Sequence, residues 1–174
     1  MNTFHYITAV VFNRTRIFQS AIICNLLIEV LLEIKTIHPF KLVGYVLMPD
    51  HMHLLINPRN PELSVILRKL KGKSARRIID WLKANNYRSS LEKLRLNTVE
   101  QEFAVWQKGS FVVDLVSPKF LRQKLGYMHM NPVRAGLCDA PQDWRFSSYS
   151  AYYPAGVDLP IEVEKHPFWN EVEQ

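Results

Sequence analysis

Apolar residues recur along the chain with two different periods, and these divide it into elements. Residues 4 to 12 (FHYITAVVF) are rich in β-branched and aromatic side chains and predict a strand. From about Ser20 to Thr36 an apolar background is broken by Asn25, Glu29 and Glu33 at every fourth position. This predicts an amphipathic helix and argues against a membrane span in the same segment. His38-Pro39 closes the helix, because the residue before a proline is pushed out of the helical region. Residues 41 to 48 (KLVGYVLM) and 51 to 57 (HMHLLIN) predict two more strands, and the Pro49-Asp50 break between them is short enough for a hairpin.

Pro61 opens a second predicted helix, running to about Ala84, with Leu63, Leu67, Leu70, Ile78 and Trp81 as its apolar stripe. Residues 85 to 102 are polar and irregular, with a short helix around Leu91. Strand signals return at 103 to 107 (FAVWQ) and 111 to 116 (FVVDLV). Ser117-Pro118 supplies an N-cap and first-turn proline for a third helix, which Asn131-Pro132 ends. Strand, helix, hairpin, helix, strand, helix predicts an α+β fold of ferredoxin-like or RNA-recognition type, an antiparallel sheet with helices packed on one face.

At 174 residues and 48% hydrophobic, the chain is long enough to bury a core within one domain. A formal charge of +6 favours a polyanionic partner without naming one. Cys24 and Cys138 lie far apart with no CxxC partner, and the N-terminus lacks the pattern of a secretion signal. A cytoplasmic location is expected.

Four groups of residues could carry chemistry. In His51-Met52-His53, side chains alternate across a strand, so the two imidazoles share a face about 7 Å apart along the backbone. That suits a bidentate metal clip, although a bare HxH is more often a pair of satisfied polar groups on a sheet. On the third helix, Leu121, Leu125 and Met128 form a core stripe. Tyr127 lies on an adjacent flank, about 40° from Asn131 and about 60° from Lys124, whereas His129 falls about 160° away. A tyrosine beside a core stripe is usually a packing residue. On the second helix Lys69, Lys73 and Arg76 cluster outward, with Arg68, Lys71 and Arg77 adding to a basic segment able to track phosphates or simply to face solvent. Trp144, Arg145, Tyr149, Tyr152 and Tyr153 mix aromatic and cationic groups that suit unpaired bases, or packing of the tail onto its own domain.

Taken together, GYVLMPDHMHLL (44 to 55), LKGKSARRI (70 to 78), VWQKGSF (105 to 111), FLRQKLGYMHMNPVRAGL (120 to 137) and DWRFSSY (143 to 149) resemble the REP-associated tyrosine transposases. These belong to the single-tyrosine HUH transposases of bacterial insertion sequences. The blocks occur in the family's order and cover nearly the whole chain.

The resemblance implies one HUH transposase domain over 1–174, with 138–174 as a C-terminal extension. It implies a sheet with the histidine pair on a central strand and the tyrosine on a helix leaning over it. Tyr127 matches the nucleophile; His51, His53 and Asn131 match the metal ligands. The implied activity is metal-dependent nicking and strand transfer of single-stranded, hairpin-bearing DNA through a 5′-phosphotyrosine. Mg²⁺ and Mn²⁺ are the expected cofactors; the acting form is a monomer or a homodimer. Lys124, Lys69, Lys73, Arg76, Arg134, Trp144 and Arg145 are candidates for phosphate or DNA contact. A non-catalytic nucleic-acid binding protein of the same fold is the main rival. A zinc metalloprotein is the other, weakened by the lack of a second paired motif such as CxxC or HExxH.

Overall fold

A computed structural model of the chain describes residues 3–58, 62–96, 98–153 and 159–165. The elements follow in the order β1 (Phe4–Val10), α1 (Ala21–Ile37), β2 (Phe40–Met48), β3 (His51–Pro58), α2 (Leu63–Ala84), α3 (Arg88–Lys93), β4 (Phe111–Leu115), α4 (Pro118–His129), α5 (Asn131–Arg134) and α6 (Tyr149–Tyr152). Among the described residues the strands form one sheet in the order β2-β3-β1-β4, with each neighbouring pair antiparallel. This is the α+β, ferredoxin-like arrangement expected from the order of elements. Pro61, read as the opener of α2, lies outside the described residues.

The period of two along the strands builds two apolar layers. Ile7, Ala9, Met52, Leu54 and Ile56 face one way and pack with Leu27, Leu31 and Ile34 of α1 and Ile66, Leu70 and Ile78 of α2. Along α2 the buried stripe takes in Ile66, Ser74 and Leu82, while Leu63 and Trp81 are only partly buried. The polar stripe of α1 meets the basic residues of α2: Glu33 pairs with Lys73 and Arg77, and Glu29 with Arg77 at 3.6 Å. The two long helices thus cover one face of the sheet, while α4 packs on the other, so the helices are not confined to one face as the sequence predicted.

The shorter α4 crosses the opposite face. Its stripe of Leu121, Leu125 and Met128 is buried against Tyr6, Val43, Val46, Leu55 and Leu115, and each such side chain contributes roughly 2 kcal/mol by leaving water. Gly44 permits the close seat, because a Cβ there would lie 2.6 Å from both Leu125 Cδ1 and Met128 Cε. Ser117 caps the helix as its sequence position suggests, its hydroxyl accepting from the Phe120 amide at 3.2 Å.

Residues 103 to 107, predicted as a strand, make only isolated bridges, Arg95 with Phe103 and Val11 with Trp106. Phe103, Ala104, Val105 and Trp106 are all buried. Their apolar run therefore reports burial on every side, not one sheet face. The segment from Trp144 to Ser148 lies along the outer edge of β2: Leu47 N donates to Phe146 O, Ser148 N to Tyr45 O and Trp144 Nε1 to Leu47 O, each at 2.9 Å. No helix among the described residues is long and apolar enough to cross a membrane.

Candidate active site

Because Met52, Leu54 and Ile56 point into the α1/α2 layer, His51 and His53 share the face crossed by α4. Their Nε2 atoms lie 3.2 Å apart, with the rings nearly perpendicular at 82°. Two nitrogens bound to one cation at about 2.1 Å, with angles of about 90–110°, stand about 3.0–3.4 Å apart. The pair fits that bite.

Each outer ring nitrogen has a fixed partner. His51 Nδ1 lies 2.6 Å from Asp50 Oδ1, so it carries the proton and leaves the Nε2 lone pair free. Burial pushes the Asp50 carboxyl upward, but the hydrogen bond and charge of His51, with Arg14 at 3.3 Å, more than offset this and hold it below its ordinary range. His53 Nδ1 lies 2.9 Å from both Tyr6 Oη and Thr8 Oγ1. Either hydroxyl can accept from Nδ1–H, the tautomer that frees Nε2. Burial, then the charge of His51, lowers the His53 pKa to about 3, so its imidazole stays neutral, the form that ligates metals. Among the described residues no group of three or more His, Cys, Asp or Glu is placed to hold a metal. The Asn131 side chain, a donor of another type, stands near the Tyr6 hydroxyl beside this pair.

Tyr6 connects this strand pair to α4. It is buried, stacks on the His53 ring at 5.3 Å, and has its phenol pushed up to about 12, first by burial. The nearby Asn131 side chain opposes that rise, while the nearby Tyr127 phenol adds to it. Lys124 Nζ stands 5.4 Å from the Tyr6 ring centre and 5.7 Å from that of Tyr127. The Arg134 guanidinium covers the Tyr127 ring at 4.8 Å. Tyr127 itself is 47% exposed.

The fold thus gathers His51, His53, Lys124, Tyr127, Asn131 and Arg134 at one place. It leaves Lys69, Lys73 and Arg76 on α2, across the sheet, where Lys73 is paired with Glu33. Trp144 and Arg145 sit at the β2 edge beside the 49–50 turn. His129, far round the helix from Tyr127, is buried 2.8 Å from Ser148 Oγ. Sequence reasoning missed Asp50, Tyr6 and Thr8. Asp50 was legible as a carboxylate beside an HxH pair; Tyr6 and Thr8 emerge only from the register that sets Thr8 opposite His53.

Comparison with known proteins bears on the family and the fold. The profile of a family described as transposase, IS200-like, matches residues 2–114, from β1 through β4, and ends before Tyr127 and Asn131. A REP-associated tyrosine transposase of Haemophilus influenzae is 27% identical over 114 residues, 64% of this chain and 60% of that protein. The match therefore spans less than two thirds of that relative's length. A solved structure of a REP-associated tyrosine transposase bound to a REP hairpin superposes with a TM-score of 0.66 at 18% identity, covering 95% of this chain and 89% of that one. A transposase from Deinococcus radiodurans gives 0.50 at 22% identity, over 73% and 88% of the two chains. At these identities both structures speak for the fold.

Proposed function

The chain belongs to the IS200-like transposase family, and on that premise we propose that it nicks and rejoins single-stranded, hairpin-bearing DNA through a covalent bond between Tyr127 and a 5′ phosphate. The observation that carries the reading is the unbroken run of contacts from His51 through His53, Tyr6 and Lys124 to Tyr127 and Arg134. The hairpin substrate is drawn from the relative solved with a REP hairpin.

A phosphodiester is hard to attack because its own negative charge repels a nucleophile, so placed positive charge is the main help it needs. Lys124 and Arg134 flank the Tyr127 ring and are placed to receive the non-bridging oxygens. Tyr127 Oη forms a bond to phosphorus as the bond to the 3′ oxygen breaks. The phenol proton passes to solvent, and the 3′ oxygen takes up a proton and departs as a hydroxyl. The phosphotyrosine keeps the energy of the broken ester, so a 3′ hydroxyl can attack it and rejoin the strand. A divalent cation held by His51 Nε2, His53 Nε2 and Asn131 would add Lewis acidity at the phosphate, and imidazole donors suit Mn²⁺ better than Mg²⁺. Asp50, Tyr6 and Thr8 keep both imidazoles aimed. In this reading Tyr127 attacks in cis, which the packing of α4 on its own chain's sheet supports.

The test is incubation of end-labelled hairpin oligonucleotides with Mn²⁺ or Mg²⁺, followed by a denaturing gel. Wild type should give a denaturant-resistant adduct. Tyr127→Phe and His51→Ala should give none, and Tyr127→Phe should still bind. Binding with no adduct from wild type would replace the reading with a non-catalytic DNA-binding protein.

A further inference from the structure

Two clefts meet at Arg16, next to the turn that carries Asp50. One, about 430 Å³, has Phe18, Trp144 and Phe146 among its walls, with Gln19, Asp143 and Arg145 at its polar positions and Arg16 shared with its neighbour. The neighbour, about 510 Å³, brings Arg14 and Lys93 to the same side. Both volumes fall in the range of small-ligand sites. The first cleft is fastened to the β2–β3 hairpin: Phe18 N donates to Pro49 O at 3.0 Å, Leu47 N to Phe146 O at 2.9 Å and Trp144 Nε1 to Leu47 O at 2.9 Å. These bonds tie the cleft to the turn from which His51 follows. The Arg145 guanidinium lies 5.5 Å from the Phe146 ring centre, a pairing of flat cation and aromatic ring on which a further flat group can stack. Arg16 is exposed and forms no ion pair among the described residues.

Aromatic walls suit the faces of a flat heterocycle, a carboxylate and an amide suit its polar edge, and an unpaired guanidinium suits a phosphate. We propose that this cleft binds one unpaired nucleotide of the DNA strand, next to the phosphate that Tyr127 attacks, with the base against Trp144 and Phe146 and its phosphate on Arg16. The inference rests on the reading of the chain as a nuclease of single-stranded DNA. It assigns to Trp144 and Arg145 a place in holding the strand beside the turn that leads into His51.

The experiment uses the whole chain and a hairpin oligonucleotide selected for binding from a pool with randomised single-stranded flanks. Each flank position is replaced in turn by an abasic nucleotide, and each flank phosphate by a neutral methylphosphonate. Wild type should show one position near the cleavage point where base removal weakens binding about 5- to 100-fold. That penalty should vanish in Phe146→Leu, and the penalty of the adjoining methylphosphonate should vanish in Arg16→Ala. Arg16 is a surface residue, so its variant keeps the test open should Phe146→Leu fail to fold. The same penalties in wild type and Arg16→Ala, or none at any position, would overturn the cleft assignment alone. Failure of wild type to bind any hairpin from the pool would overturn the functional reading as well.

Discussion

Asp50→Asn isolates what the carboxylate does for His51. The substitution keeps the side-chain volume but replaces a pure acceptor with an amide that can donate or accept. In the wild type, the 2.6 Å contact to Oδ1 specifies the Nδ1–H tautomer and aims Nε2 at His53. An asparagine can equally donate to Nδ1, which stabilises the tautomer whose Nε2 carries the proton and cannot ligate. Loss of such an outer partner costs about 10- to 100-fold in metal affinity, or about 1.4–2.7 kcal/mol. The folding cost should be smaller. Asp50's other partner, Arg14, is 64% exposed at 3.3 Å, a pair worth at most about 1 kcal/mol. Isothermal titration with Mn²⁺, a thermal melt in chelator and nicking rates across Mn²⁺ concentrations separate the two effects. The affinity should fall, the melt should barely move, and high Mn²⁺ should restore nicking. An unchanged Mn²⁺ affinity, or a loss of nicking that no Mn²⁺ concentration relieves, would refute the role given to Asp50.

Tyr6→Phe removes the hydroxyl between His53 and Asn131; single-turnover nicking should fall about 10- to 100-fold while hairpin affinity holds. Lys124→Ala should slow nicking and lower the slope of log affinity against log salt by about 1, whereas Lys73→Ala should change neither, since Lys73 is paired with Glu33 across the sheet. Alkaline pH should expose the buried phenol of Tyr45, whose pKa burial raises from 10.0 to about 12. The folded state then holds a proton that the unfolded state has lost, so stability is full below about pH 10 and declines towards about pH 12, by about 1.4 kcal/mol per pH unit for this group. Tyr45→Phe should remove that share of the slope in denaturant melts between pH 10 and 12.

Much of this was legible along the chain. The strands at β1, β2, β3 and β4, the hairpin turn at Pro49-Asp50 and the ends of α1 and α4 follow from period, proline placement and a serine cap. The stripe Leu121, Leu125, Met128 announced that α4 is buried. A stripe does not say against which face, however, and that depends on α1 and α2 already occupying the other. The run FAVWQ looked like a strand because buried loops and strands share the same residue types. Lys73 looked free because its partner Glu33 lies on another helix. Asn131 and Lys124 came into view from the helical wheel, yet Tyr6, which joins them to His53, needed the register of β1 on β3. The cleft that joins Arg16 to Trp144 draws on segments more than a hundred residues apart and leaves no local pattern.

The most direct measurement is to locate the covalent bond. After reaction with hairpin DNA and Mn²⁺, trypsin should release residues 125–134 (LGYMHMNPVR), cut after Lys124 and Arg134, with Tyr127 as its sole tyrosine. Nuclease trimming and mass spectrometry should find this peptide carrying a nucleotide through its 5′ phosphate. An adduct on the peptide containing Tyr6, on any other tyrosine, or on none while the DNA is still cut, would contradict nucleophilic catalysis by Tyr127.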